Sequence, residues 1–375
     1  MNVIFTCGGT GGHINPAIAV ANAWKARHPD ANILFIGAKG HMEEQLVPKA
    51  GYELQCLEIS GLIRGKSLKA IGKNLMTVEH TFKAVNQCKN IIRRFEPDVI
   101  MGTGGYACFP ALMAGCLMGI PTCVHESNAM PGLTTRMLAD RVDRMLVCFP
   151  ESAQHYKHPA KVETVGMPIR REFTSLDRAA ARRELGISPE EKLVVSAFGS
   201  LGAKKMNETV ADMLVLEKND GYPFRHIHAT GKYGWEWMPG LVAEKGVDLS
   251  KTEKVELREY IYNMPTLMAA ADVFIRRAGA SSCNEIAASG TPAILIPSPN
   301  VTDNHQEKNA RVLSDKGGAV LVLEKDCTAE GIYKEIRQLL SDDHRRKAMS
   351  EILRQNVILD CVDRVCDILE DLVTR

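Results

Sequence analysis

Short apolar runs recur along this chain, and each gives way to a turn of small residues and then to a stretch with helical spacing. The runs at 3–7, 33–36, 54–59, 98–101, 122–125 and 145–148 read as strands, as do those at 193–198, 226–230, 254–257, 272–276, 292–296 and 319–323. Strands apolar at every position are buried on both faces, and strands that alternate with helices pair in parallel. The fold class is therefore α/β, and the two series of runs predict two similar domains with parallel sheets facing a cleft. A length of 375 residues accommodates both. The first domain is expected over 1–165, ending at the turn Gly166-Met167-Pro168, and the second over 166–349. The end of the chain is helical, and its last part, about 350–375, is a candidate to pack back on the first domain. Ligands of parallel sheets bind beyond the carboxyl ends of the strands, so the chemistry should lie in the loops that follow them.

The first such loop is Gly8-Gly9-Thr10-Gly11-Gly12-His13, between the run Val3 to Cys7 and an apolar helix. A plain turn needs one or two glycines; four bring the backbone close to a ligand and aim N–H groups and a helix N-terminus at an anion. The spacing is not that of a dinucleotide fingerprint, since Ile14 stands where its third glycine belongs. The segment Gly61 to Ser67 falls one residue short of a P-loop and follows no apolar strand. His13, at the mouth of the loop, suits a general base near neutral pH; its plainer role is to cap the helix.

Two further loops follow buried strands in the first half, Gly102 to Tyr106 and His125 to Gly132, and would meet the first at one rim. His125 ends a strand and reads equally as a satisfied core histidine, whereas Glu126 and Asn128 lie in the loop, where polar residues are placed for use. In the second half, Gly199 to Lys204 is another glycine turn before a helix. Small residues crowd the helix start at Ala278 to Ser282, which suits a diphosphate. Glu285 lies on the same side of that helix as Ser281 and Ser282, and a carboxylate there can accept from ribose hydroxyls. The long polar loop Pro297 to Ala310 could read sugar hydroxyls with amide side chains.

Charge is balanced, with 46 Lys and Arg against 45 Asp and Glu, so no nucleic-acid partner is implied. The 11 cysteines form no CxxC pair and no zinc spacing, and Cys7, Cys56, Cys123 and Cys148 fall inside apolar strands, as small hydrophobes of a reducing compartment do. The chain opens directly on a strand, which predicts no targeting leader, and no apolar run is long enough to span a membrane. Residues 61–94 differ from the rest. Leu62, Ile63, Leu68, Ile71, Leu75 and Met76 are interleaved with Arg64, Lys66, Lys69 and Lys73. An apolar face with a basic border suits an interfacial helix on anionic lipid, although a solvated helix face has the same pattern.

Taken in order, Gly8 to Pro16, Gly102 to Tyr106, His125 to Gly132, Gly166 to Arg170, Gly199 to Ala203, Ala278 to Glu285 and Asp303 to Ala310 closely resemble the MurG family. These are bacterial glycosyltransferases that move N-acetylglucosamine from UDP-N-acetylglucosamine to lipid I, undecaprenyl-pyrophosphoryl-MurNAc-pentapeptide, giving lipid II for peptidoglycan. The resemblance implies two Rossmann-like domains of the GT-B type, the first for the lipid acceptor and the second for the UDP-sugar. It implies that Arg170, Ser200, Ile261 and Glu285 hold the nucleotide: Ser200 at the diphosphate, Ile261 at the uracil, Glu285 at the ribose. Thr10, Gly11, Gly12, Ala280 and Ser281 join the donor side. His305 and Gln306 would hold the sugar, with Asn128 reaching it across the cleft. Thr10, His13, Tyr106, Glu126 and Asn207 match acceptor-side or catalytic positions. Phe198-Gly199-Ser200-Leu201-Gly202 stands where the family has Gly-Gly-Ser-Gln-Gly, and His305-Gln306 where it usually has two glutamines.

The implied reaction is an in-line displacement at the anomeric carbon with inversion. His13 is the first choice as base for the acceptor 4-hydroxyl, and Glu126 is its rival or the partner that fixes it. No tightly bound cofactor and no protein-held metal is expected; the resemblance allows a Mg2+ ion on the acceptor's pyrophosphate. The implied place of work is the cytoplasmic face of the cell membrane, as a peripheral protein. Alternatives of the same architecture are a UDP-N-acetylglucosamine 2-epimerase, a transferase to another lipid acceptor, or a nucleotide-sugar binding protein without chemistry.

Overall fold

A computed structural model of the chain describes residues 1–61, 68–158 and 161–374. It divides into two compact units, Met1–Ile169 with Ile358–Arg375, and Arg170–Val357. The change of unit thus falls at Ile169/Arg170, where the sequence reading set it at 165/166, and the returning segment begins at Ile358.

The first unit has seven parallel strands: β1 (Asn2–Thr6), β2 (Asn32–Ala38), β3 (Glu53–Leu57), β4 (Val99–Gly102), β5 (Thr122–Glu126), β6 (Arg144–Val147) and β7 (Val162–Thr164). They lie in the order β3-β2-β1-β4-β5-β6-β7. Side chains alternate across the sheet. Val3, Phe5 and Phe35 enter one core; Ile4, Leu34 and Ile36 enter the other. The helix Gly11–Arg27 covers the first face with Ile14, Ala17, Val20 and Trp24. The returning helix Cys361–Val373 joins it there, burying Cys361, Val365, Cys366, Leu369 and Leu372 along one stripe. Arg27 pins this helix through Asp363 at 3.1 Å, and His28 meets Glu370 at 2.9 Å. The other face is covered by Leu68–Phe95 and Cys108–Met118.

The second unit has six parallel strands: β8 (Leu193–Ala197), β9 (Arg225–Ala229), β10 (Val255–Arg258), β11 (Val273–Arg276), β12 (Ala293–Leu295) and β13 (Ala319–Leu321). Their order, β10-β9-β8-β11-β12-β13, repeats that of β3 to β6 in the first unit. In each unit the strand order reverses beside the first strand, between β1 and β4 and between β8 and β11. The loops leaving those strands diverge, and a ligand can enter between them.

Among the described residues no helix is long and apolar enough to cross a membrane. Leu62, Ile63, Arg64 and Lys66 lie outside the described residues. Leu68, Lys69, Ile71, Lys73 and Leu75 fall in the helix Leu68–Phe95, but their side chains are likewise outside the description. Met76, next along, is exposed.

Candidate active site

In the first unit the chain leaves β1 at Thr6 and enters the helix Gly11–Arg27, whose N-cap residue is Thr10. His13 is not the cap. Its Nδ1 lies 2.9 Å from the carbonyl oxygen of Thr103, and the Thr103 hydroxyl donates back to the His13 carbonyl at 2.7 Å. A carbonyl only accepts, so Nδ1 carries the proton and the basic lone pair sits on Nε2. Thr103 is fully buried and His13 partly so, which places this clamp between the loops after β1 and β4. Gly104, at φ +94°, allows the approach: a Cβ there would lie 3.0 Å from the His13 ring and 3.7 Å from the His125 carbonyl. The three loops of this unit therefore do meet at one rim.

The glycine loop itself differs from expectation. The N–H of Gly9 is turned inward onto the carboxylate of Glu43, at 3.3 and 3.4 Å, and that carboxylate also accepts from the N–H of Ala38 at 2.9 Å. Glu43 is fully buried. The anion beneath this part of the loop is thus the protein's own, and sequence reasoning missed it because Met42-Glu43-Glu44 reads as a solvated helix start.

Glu126 is likewise committed. One oxygen accepts from the backbone N–H of Asn128 at 2.8 Å and from its amide at 3.1 Å; the other accepts from Gly132 N–H at 2.8 Å and the Thr135 hydroxyl at 2.5 Å. With both oxygens occupied and the residue 3% exposed, Glu126 organises its loop and sets the orientation of Asn128. His125 is the satisfied core histidine. Its Nε2–H donates to the Gly166 carbonyl at 2.7 Å, and burial lowers its pKa. Tyr106 reaches His41 Nε2 with its hydroxyl at 2.8 Å, and burial raises its pKa. His41 was not anticipated, because nothing in a turn between a strand and a helix marks one histidine.

In the second unit the loop after β8 turns through Gly199 and Gly202 and exposes Ser200. Gly202 has φ +82°, and a Cβ there would fall 2.1 Å from the Thr230 carbonyl, so only glycine fits. Beneath this turn lies a buried polar chain. Asn207 donates to the Thr230 carbonyl at 2.8 Å, and its Oδ1 is 3.2 Å from His228 Nε2. His228 Nδ1 meets the Ser196 hydroxyl at 2.7 Å, which meets His226 Nε2 at 2.8 Å, and His226 Nδ1 lies 2.8 Å from Glu217 Oε1. The bond to Thr230 fixes the amide of Asn207, and the directions follow from it: His228 donates to Asn207, Ser196 to His228, His226 to Ser196. One proton must then lie between His226 and Glu217, which leaves this fully buried pair with no net charge. Asn207, expected at the acceptor, is 1% exposed and spends its amide in this chain.

After β11, Gly279 caps the helix Ala280–Ser289, and among the described residues the buried Ser281 hydroxyl has no hydrogen-bond partner. Glu285 accepts from Arg276 at 3.0 Å. Arg277, which sequence reading left unassigned, donates to the carbonyls of Ile296 and Pro297 at 3.1 and 3.2 Å and pairs with Glu324, so it braces the loop after β12. In that loop Asp303 and Asn304 both have left-handed backbone, at φ +53° and +52°, just before the helix His305–Ser314. His305 Nδ1–H donates to the Thr302 carbonyl at 2.8 Å, and Gln306 accepts from Ser298 N–H at 2.9 Å. Ile261 is buried between the exposed Tyr260 and Tyr262. Arg170 is exposed, with its guanidinium 5.1 Å from the Phe173 ring. Among the described residues no three His, Cys, Asp or Glu side chains group as metal ligands.

Two sequence families match the chain in order: the glycosyltransferase family 28 N-terminal domain over residues 3–147 and the family 28 C-terminal domain over residues 193–365. The chain belongs to glycosyltransferase family 28. A protein of Acetivibrio thermocellus is 39% identical over 373 residues, covering 100% of this chain and 98% of its own length. One of Bacillus cytotoxicus is 38% identical over 375 residues, covering both chains entirely. Both are named UDP-N-acetylglucosamine–N-acetylmuramyl-(pentapeptide) pyrophosphoryl-undecaprenol N-acetylglucosamine transferase. The crystal structure of Acinetobacter baumannii MurG, 25% identical, superposes with a TM-score of 0.76 over 99% of each chain. A UDP-GlcNAc 2-epimerase from Neisseria meningitidis also superposes, at 0.67 over 99% of this chain and 100% of its own; at 15% identity it shares the fold alone.

Proposed function

We propose that this family 28 protein transfers N-acetylglucosamine from UDP-N-acetylglucosamine to the 4-hydroxyl of the N-acetylmuramoyl group of lipid I, with inversion, giving lipid II. Full-length similarity to transferases of that name supports the substrates. The observation that carries the mechanism is the His13–Thr103 clamp, which puts the basic lone pair on Nε2. Nε2 takes the proton of the 4-hydroxyl as its oxygen attacks the anomeric carbon, and UDP leaves with the bonding electrons. The helix start at Ala280 and the Ser200 turn are suited to the charge that grows on the leaving diphosphate. Glu285 takes the ribose, Ile261 the uracil, and His305 with Gln306 the sugar. Glu126 acts through Asn128, which it orients.

The protein works as a peripheral enzyme at the cytoplasmic face of the membrane. Exposed apolar side chains on the first unit support this: Met76 and Phe82 on Leu68–Phe95, and Leu133 and Met137 on Leu133–Leu138.

The test is UDP release from UDP-N-acetylglucosamine, with and without a short-chain lipid I analogue. Release only with the analogue, together with a disaccharide product, is expected. Epimerised nucleotide sugar without acceptor-dependent release would replace this reading with the epimerase one, and UDP release without the analogue would show hydrolysis instead of transfer.

A further inference from the structure

We propose that Arg276 is a positioning residue for nucleoside recognition: its hydrogen bond to one carboxylate oxygen holds the Glu285 side chain where it reads the ribose hydroxyls of a nucleoside diphosphate. The inference rests on the reading of Glu285 as the ribose ligand.

Arg276 is the last residue of β11, and its side chain is 12% exposed. One guanidinium nitrogen donates to Glu285 Oε2 at 3.0 Å and lies 3.7 Å from the Met268 sulfur. The guanidinium stands 5.5 Å from the centroid of the Phe274 ring. Phe274, two residues back, is on the same side of the strand, so the cation is held from below by an aromatic face and from the side by a thioether. Glu285 is 20% exposed, and among the described residues Arg276 is its only partner. A carboxylate so withdrawn from water needs a counter-charge. Arginine supplies one that does not deprotonate, and its bond to Oε2 limits where that oxygen can move.

The geometry also leaves room. A carboxylate has about four lone-pair positions, and the bond to Oε2 uses one of them. Oε1 is left to accept from a ribose hydroxyl. A nucleotide lacking that hydroxyl leaves a partly buried acceptor unmet, which is how a polar site rejects an analogue. Arg276 thereby sets the preference for ribose over deoxyribose without touching the sugar itself.

The test is calorimetric titration of the full chain with UDP and with 2′-deoxy-UDP, in the native protein and in R276M, R276K and E285Q. The native protein should prefer UDP by roughly tenfold or more. In R276M the preference should fall towards one, and KM for the sugar nucleotide should rise more than kcat falls; in R276K part of the preference should return. If R276M melts earlier but keeps the native preference, the arginine is merely structural and the inference is overturned. If R276M does not fold, R276K decides in its place: a reduced preference supports the inference and a native one overturns it. E285Q separates the two readings. A native preference in E285Q shows that Glu285 does not read the ribose, and both readings fall. A lost preference in E285Q beside a native one in R276M overturns the role of Arg276 alone.

Discussion

His13 shows how much a single hydrogen bond decides. With Nδ1–H given to the Thr103 carbonyl, the ring has one tautomer, and its base is Nε2. Replacing His13 with Ala or Gln should lower kcat by about two to four orders of magnitude and leave binding of UDP-N-acetylglucosamine near native. Steady-state UDP release and a separate donor titration check this; near-native turnover in H13A would remove the base assignment. Two other histidines make the protein acid-sensitive. Burial lowers the pKa of His125, and burial with the neighbouring His226 lowers that of His228 well below the ordinary range. Each is neutral when folded, while the unfolded chain takes up a proton as the pH falls below about 6.5. Their contribution to stability is full above that pH and is lost as the pH falls towards the folded values, at up to about 1.4 kcal/mol per pH unit for each. Urea midpoints measured from about pH 7.5 to 5.5 should therefore fall, and H228Q should flatten the slope. A midpoint that rose on acidification would contradict the burial of both rings.

At the scale of elements, the strands were legible and their partners were not. Every expected run overlaps a strand; those apolar throughout, such as Val3 to Phe5, have nowhere to go but between two layers, while 54–59 and 254–257 carry polar residues and form the half-buried strands β3 and β10. β7 was missed: Val162, Glu163 and Thr164 are half-buried at a sheet edge and leave no run to read. Glu43 was missed because its burial depends on space left by Gly37 and by Gly8, and Gly8 lies 35 residues before it on another strand's loop. Glu126 was found as a polar loop residue, but the four donors that occupy it come from positions whose approach no spacing predicts. The returning helix Cys361–Val373 packs in the same core as Val3, Phe5 and Trp24. Truncating Leu369, which is fully buried, to Ala should cost about 2–5 kcal/mol. A denaturant titration giving less than about 1 kcal/mol would mean that the helix does not carry that core.

The molecule as a whole has an asymmetry of connection. The unit Arg170–Val357 is one continuous stretch, while the other is completed only by Ile358–Arg375, after the chain has passed through its neighbour. Each has cores of its own, which is what independent folding requires. A fragment of residues 170–357 should therefore melt cooperatively. A fragment of 1–169 should not, because the apolar stripe of Gly11–Arg27 and its neighbours in β1 would lose their cover. The nucleotide ligands that the family resemblance implies, Arg170, Ser200, Ile261 and Glu285, all fall in the continuous unit. UDP at about a hundred times its Kd should then stabilise the 170–357 fragment by about 2.7 kcal/mol, as it does any native state with one site. Thermal melts of the fragment and the full chain with UDP would read this directly. A fragment that melts cooperatively but gains nothing from UDP would move part of the nucleotide site into the first unit, and Thr10, Gly11 and Gly12 would be the first residues to substitute there.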